Sequence, residues 1–343
     1  MIFAMPVTIR QVADAAGVSP STVSHALSGN RSVSARTSER IFRIIDELGY
    51  RPNQLAASMR AGRTMAIGAI VPDIANPYFG QMIAALERTA GPEGYSVMVG
   101  SSELDARLEA RHVRSLLDRQ VDMIVYLGGT GVANPALIEA ADKGCPVVAV
   151  DEAFDWLPES ASTVTVDNEV GGALAAQHLV GLGHDRLAVL GGSDELPTAR
   201  QRQHGFVSAA HRAGIDAECV PADTYTIEAG REAGGAMLSK FPDVTGVFCA
   251  NDLLALGLIQ VATETGHSVP EELSVVGFDD TFLARLVTPA LTTIRQPVDR
   301  IGQHAAKQAI ASARDDTSVE QNRVLPVDLI VRKSTEAARR KSL

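Results

Sequence analysis

Two different rhythms of apolar and polar positions divide this chain. From Thr8 to Gly49 the apolar residues recur at helical spacing. In "TIRQVADAAG" the residues Val12, Ala13 and Ala16 share one face, Thr8 and Gln11 stand at the separation of a capping box, and Gly17 suits a left-handed C-cap. "SPSTVSHALSG", Ser19 to Gly29, predicts a second helix, with Ser19 as cap, Pro20 in the first turn and Val23 and Leu27 one turn apart. A third helix is expected from about Ser34, burying Ile41, Ile44, Ile45 and Leu48 and stopping at Gly49. "RPNQLAASMRAGRT", Arg51 to Thr64, follows. Asn53 can cap a short helix through Arg60, but with only Leu55 and Met59 as sizeable apolar groups that helix has little to bury, and its order is expected to be conditional.

From Met65 onward the pattern changes to apolar runs alternating with amphipathic helices such as "FGQMIAALERTA". The runs "MAIGAIVPD", "YSVMVGS", "VDMIVYLG", "CPVVAVD", "STVTVD", "RLAVLGG", "GVFCAND" and "ELSVVGFDD" read as strands, which predicts a mostly parallel α/β body. Several end in polar residues: Asp73, Ser101, Asp151, Asn251 and Asp279. Singly, each would serve as a turn cap. Together they predict a polar pocket, because ligands of open α/β sheets bind beyond the carboxyl ends of the strands.

Composition and charge alter this picture in two ways. The 343 residues are 45% hydrophobic and 4% aromatic, without a run of the ~18 apolar residues a membrane span needs. "MIFAMPVTIR" has no basic start, long apolar stretch or cleavage site, so a cytoplasmic protein with no membrane partner is expected. Cys145, Cys219 and Cys249 are scattered and odd in number, which speaks against a disulfide framework or a zinc site. Eight arginines and no lysine fall between Met1 and Arg63 against four acidic residues, a net of +4 that leaves −14 for the rest of a chain carrying −10. A basic head able to meet phosphates thus precedes an acidic body, although an arginine excess alone would also suit a solvated face.

Enzyme signatures are missing. There is no Gly-x-Gly-x-x-Gly fingerprint, no phosphate loop ending in Gly-Lys-Ser/Thr and no Gly-x-Ser-x-Gly elbow, and the eight histidines lack ligand spacing. No catalytic residue, metal or cofactor is expected. "VTIRQVADAAGVSPSTVSHALSG" instead fits a helix-turn-helix, whose second helix enters the major groove and presents its N-terminal residues to base edges. The uncharged second helix then makes sense: arginines around it attract phosphates while Ser21 and His25 offer hydrogen bonds to bases.

The head, from that segment through "VSARTSERIFRIIDELGYRPNQLAASMRAGRT", resembles the DNA-binding region of the lactose and galactose repressor (LacI/GalR) family. "IGAIVPDIANPYF", "VFCANDLLALG", "ELSVVGFDD" and "PALTTIRQP" are similar, in order and spacing, to that family's effector-binding body. The resemblance implies an all-α helix-turn-helix head at 5–52, a hinge helix and linker at 53–63, and an α/β body at 64–343 like periplasmic binding proteins. The body's two parallel-sheet halves would fall at about 64–167 with 297–324 and about 168–296 with 325–343. It implies DNA contacts from Thr8, Pro20, Ser21, Thr22, Ser24, His25 and Ser32 in the head. From the hinge it adds Asn53, Ala56, Met59 and Arg60, with Met59 in place of the family's usual wedging leucine. Its effector cleft would contain Asn76, Tyr78, Phe79, Asp151, Arg202, Asn251, Phe278, Asp279 and Gln296, a set suited to a sugar or polyol.

One position breaks the pattern of ribose-type binders: Glu152 follows Asp151 where those proteins often place an arginine. The reversal argues against ribose and against a phosphorylated sugar, while a surface glutamate is an equally good reading. The resemblance further implies a homodimer on a pseudo-palindromic operator, with tetramers open, acting as a repressor of carbohydrate-use genes. Family members respond to effectors in either direction, and some take a phosphoprotein or nucleobase. A secreted solute-binding protein would account for the body but leave the basic head without purpose. The start is open between Met1 and Met5: "MPVTIRQVADAAG" resembles a natural start for the family, and the four residues before it have no evident role.

Replacing His25 by Ala is expected to shift preference at one or two operator positions by about 1 to 3 kcal/mol per lost base contact, whereas changing Arg51 or Arg60 weakens all sequences alike. Competition binding on operator and random DNA reads the difference. Equal losses on both for His25→Ala would remove its base-reading role.

Overall fold

The computed structural model describes residues 7–28, 32–50, 63–192, 195–314, 316 and 320–339, and the chain divides between Thr64 and Met65 into two units. The first holds α1 (Ile9–Ala16), α2 (Pro20–Ser28) and α3 (Ala35–Leu48). The capping box at α1 is reciprocal: Thr8 N–H donates to Gln11 Oε1 at 2.8 Å and Gln11 N–H to Thr8 Oγ1 at 3.4 Å. Gly17 ends the helix at φ 60, Ser19 Oγ accepts from Thr22 N–H at 3.1 Å, and Ser34 Oγ caps α3 through Thr37 N–H at 3.3 Å. These caps fix where each helix begins, so the apolar faces meet as one core of Val12, Ala13, Ala16, Val23, Ile41 and Ile44. Leu48 departs from expectation, being 40% exposed: it is the last residue of α3, a turn beyond Ile44, the final buried position of that face.

The second unit follows the predicted alternation. Its first part runs β1 (Ala66–Val71), α4 (Pro77–Ala90), β2 (Ser96–Ser101), α5 (Ala106–Asp118), β3 (Met123–Tyr126), α6 (Pro135–Asp142), β4 (Val147–Val150) and β5 (Ser162–Val166). Next come α7 (Asn168–Gly181), β6 (Leu187–Gly191), α8 (Pro197–Arg212), β7 (Ala217–Pro221), α9 (Ile227–Lys240), β8 (Gly246–Cys249), α10 (Asp252–Glu264), β9 (Ser274–Asp279), α11 (Leu283–Leu286) and β10 (Thr292–Arg295). The chain finishes with α12 (Val298–Ala313), β11 (Asn322–Leu325) and β12 (Asp328–Ile330).

These strands make two six-stranded sheets, ordered β11-β5-β4-β3-β1-β2 and β12-β10-β9-β8-β6-β7. Every pairing is parallel except the antiparallel β10–β12. The chain passes from one sheet to the other after β5, after β10 and after β11. In each sheet the order reverses direction, between β1 and β3 and between β6 and β8, and such switch points open a crevice at the carboxyl edge.

β7, β10, β11 and β12 carry no strand signal in the sequence for a physical reason. β7 is an edge strand with mostly exposed residues, β10 buries two threonines beside one isoleucine, and the last two span only three or four residues. None has the apolar run or clean alternation that reveals a strand.

Helices α7 and α8 touch backbone to backbone. A Cβ on Gly205 would stand 2.0 Å from Glu169 O, and one on Gly172 2.0 Å from Arg202 O. Glycine at these points sets the depth at which α8, and Arg202 with it, lies against the sheet. Gly205→Ala is therefore expected to force the helices apart and destabilise the body by about 3 kcal/mol. Urea denaturation checks it, and an unchanged midpoint would mean the pair has room to separate.

Candidate functional site

In the head, Thr8, Pro20, Ser21 and Ser32 are exposed, and Thr22, Ser24 and His25 are half-buried. Ser24 and His25 stand three and four positions after Ser21 and so lie beside it on one side of α2, while Val23 points into the core. Two hydroxyls already have local partners, since Ser19 Oγ lies 2.7 Å from Ser21 Oγ and 2.8 Å from Thr22 Oγ1. Asn53, Ala56, Met59 and Arg60 lie outside the described residues.

In the body, seven of the cleft residues expected from the sequence line one cavity at the carboxyl ends of the strands: Asn76, Tyr78, Phe79, Asp151, Arg202, Asn251 and Asp279. Asp151 and Asp279 directly follow or end β4 and β9 with φ of 73° and 119°, backbone conformations that L-residues rarely adopt. The strained turns bring both carboxylates to the cavity wall. Asn76 and Asn251 cap α4 and α10, accepting from Tyr78 N–H at 3.0 Å and Leu254 N–H at 2.8 Å, and line the cavity as well. Asp73 lines it too. Ser101 does not: its Oγ accepts from Ile74 N–H at 3.2 Å, a turn-forming role.

Arg202 organises the site. It is 4% exposed. Its Nε donates to Asn168 Oδ1 and its Nη1 to Ala250 O, both at 2.8 Å, while Nη2 lies 3.9 Å from Asp151 Oδ1. The guanidinium sits 3.9 Å over the ring of Phe278. Tyr78 Oη is 2.8 Å from Asp151 Oδ1 and 2.9 Å from Gln296 Oε1, and with one proton it donates to one of them at a time. Gln296 Nε2 in turn donates to Asp279 Oδ1 at 2.8 Å.

Two expectations are corrected by this arrangement. Phe278 is wholly buried beneath Arg202, and Gln296, 3% exposed, stands behind Tyr78 and Asp279. Both shape residues of the cavity wall without forming that wall. A third correction concerns Glu152, which is no surface glutamate. It is 3% exposed, lines the cavity, and accepts from Thr198 N–H at 3.1 Å and from the Thr198 hydroxyl. Sequence reasoning also passed over Leu104, Leu196, Thr198 and Tyr225 in the wall. Thr198 was within reach, since it opens the helix after β6, at the same kind of strand-to-helix junction that pointed to Asn251. The Tyr225 hydroxyl is buried and has no hydrogen-bond partner among the described residues.

Burial dominates the electrostatics. It pushes the carboxyls of Asp151 and Asp279 upward, against the pull of Arg202. Glu152 rises to about 7, through burial first and the neighbouring Asp151 second. Burial and then Asp151 hold the Tyr78 phenol protonated. Burial also works against the charge of Arg202, but Asp151 and Asp279 outweigh it and keep the guanidinium charged. The cavity thus combines acceptors that readily take hydrogen bonds from hydroxyls with the rings of Tyr78, Phe79 and Tyr225. Among the described residues no group of His, Cys, Asp and Glu could hold a metal, and no helix is long and apolar enough to cross a membrane.

Residues 8–53 match the family model described as bacterial regulatory proteins of the lacI family, and residues 176–335 match the periplasmic binding protein-like domain. The chain is 34% identical over 337 residues to the HTH-type transcriptional regulator DegA of Bacillus subtilis (strain 168), covering 96% of this chain and 98% of DegA. Among solved structures it is similar to the lac repressor dimer bound to operator and the anti-inducer ONPF, with a TM-score of 0.84, 31% identity and coverage of 97% and 100%. It is also similar to the complex of the transcriptional regulator CelR with cellobiose, with a TM-score of 0.72, 29% identity and coverage of 96% and 99%.

Arg202 is the cation among the lining residues, so its loss leaves carboxylates buried without their counter-charge. Arg202→Met is expected to destabilise the body by about 3 to 5 kcal/mol at pH 8. The loss should shrink at pH 6, because carboxyls whose folded-state affinity for protons is raised are neutralised as the pH falls. Urea denaturation at the two pH values measures it, and a loss independent of pH would show that the guanidinium acts through packing alone.

Proposed function

The chain belongs to the LacI family of bacterial regulatory proteins and is accordingly a DNA-binding transcriptional repressor with an effector-binding body; from that premise we propose that its effector is an uncharged polyhydroxy compound, a sugar or polyol, bound in the cavity around Arg202. The observation that carries this reading is the cavity's chemistry: Asp151, Asp279, Asn76 and Asn251 as partners for hydroxyls, and aromatic rings for the apolar face of a sugar ring. The likeness to a regulator complexed with cellobiose supports it.

The repressor acts as a homodimer in this reading, its two heads meeting half-sites of a pseudo-palindromic operator, because a two-fold protein reads two-fold related DNA. The likeness to the lac repressor dimer on its operator supports that assembly. Thr8, Pro20, Ser21, Thr22, Ser24, His25 and Ser32 contact DNA from the head, and Asn53, Ala56, Met59 and Arg60 from the hinge. The ligand controls DNA binding by its different affinity for two arrangements of the body's halves, the one way binding can shift such an equilibrium. Carbohydrate-use genes are the targets that follow from a sugar effector.

A thermal-shift screen of the purified chain against sugars, polyols and nucleosides, followed by operator binding with each hit, tests the reading. A sugar or polyol is expected to raise the melting temperature and change operator affinity. Asp279→Ala should lose that response while binding operator as the parent does in the absence of ligand. A nucleoside as the responding compound would overturn the sugar assignment, and an undiminished response in Asp279→Ala would move the effector out of this cavity.

A further inference from the structure

Helix α8 begins without a side-chain cap of its own, since Leu196 at the cap position has no oxygen to offer. The acceptor comes from the other sheet's side of the cavity. Glu152, just past β4, directs Oε2 to Thr198 N–H at 3.1 Å and Oε1 to the Thr198 hydroxyl. The residue before it, Asp151, lies 3.9 Å from Arg202, which is four positions after Thr198 and therefore on the same face of α8. Two consecutive carboxylates thus dock on two consecutive turns of one helix.

That face of α8 presents a first-turn N–H, a hydroxyl and a guanidinium. The N–H groups of a helix start carry partial positive charge and bind anions, and a guanidinium adds charge-assisted bonds, so the donor set suits a phosphate or sulfate. Here the chain's own carboxylate fills the place. Its burial to 3% exposure leaves it nowhere to retreat into water if an incoming anion took Thr198. It would then stand beside Asp151 stripped of both hydrogen bonds.

We propose that Glu152 is a specificity-determining residue of the cavity, a tethered carboxyl group that occupies the anion position at the N-terminus of α8 and thereby excludes ligands bearing a phosphate or carboxylate at that end. The proposal rests on the cavity being the effector site. It predicts that emptying the position creates an anion site that the parent protein lacks.

The test uses the full chain as wild type, Glu152→Ala, Glu152→Ser and Glu152→Gln, with sulfate and inorganic phosphate as probes in thermal-shift titrations at constant ionic strength. Glu152→Ala and Glu152→Ser should gain saturable stabilisation at anion concentrations at least tenfold below any that stabilise the wild type. Glu152→Gln, whose amide oxygen can accept from Thr198 N–H while its nitrogen donates to the hydroxyl, should stay within twofold of wild type. The arginine-rich head contributes equally to all four proteins, so the differences report the cavity. Wild-type behaviour of both the alanine and serine variants overturns the proposal, as does a gain in the glutamine variant equal to theirs. If no sugar or polyol binds but the anion site appears, the assigned effector class fails and the role of Glu152 stands. If sugars bind and no anion site appears, the role of Glu152 fails alone.

Discussion

A guanidinium taken out of water must be given back, by the protein, the interactions that water supplied. Arg202 is 4% exposed, and it receives a side-chain amide, a main-chain carbonyl, an aromatic face and two carboxylates in return. Desolvating an ion costs several kcal/mol, so the arrangement holds only while all of these groups are in place. They come from widely separated parts of the chain: Asn168 opens α7, Ala250 and Phe278 lie on or beside β8 and β9, and Asp151 follows β4 in the other sheet. Meeting that single requirement ties α8 to both sheets. The glycine contact between α7 and α8 sets the depth at which the arginine can do so.

The same requirement bears on the selectivity proposed for the cavity. Three buried carboxyls face one guanidinium, and each is pushed upward by burial, so their protons are shared among sites that feel one another. A hydroxyl-rich ligand fits such a wall without adding charge, because hydroxyls both donate and accept. The proposed exclusion of a fixed anion is consistent with this wall, which sets three buried carboxyls against one guanidinium. Asp151 and Asp279 sit in strained backbone conformations at the cavity, where strain concentrates in proteins when side-chain aim matters more than local comfort.

The architecture was legible wherever its signal was local. Capping at Thr8 and Ser34, the helix stops at Gly17 and Gly49, and the buried strands β1, β3, β4, β6, β8 and β9 all declare themselves in a few consecutive residues. Cavity residues at strand ends, such as Asp151, Asn251 and Asp279, were legible for the same reason. The distinction between wall and support was not: Phe278 and Gln296 differ from Tyr78 and Asp279 only in which side of the network they occupy, and that is a tertiary fact. Glu152 shows the same limit, because its burial depends on Thr198, 46 positions away, arriving as its partner.

Charge is divided unevenly along the chain in a way that bears on how a repressor with so acidic a body finds DNA at all. The residues through Arg63 carry +4 and the remainder −14. At physiological salt, charges more than about 8 Å apart are largely screened, so the body's repulsion reaches phosphates only when the body itself approaches the duplex. The head's arginines act within contact range, where counterion release favours binding. An acidic body therefore leaves the head's short-range attraction intact. In the proposed reading, where Ser21 and His25 meet bases, α2 adds no charge of its own to compete with those contacts, since it carries no Asp, Glu, Lys or Arg. That reading gives sequence choice and electrostatic capture to different residues of the same small domain.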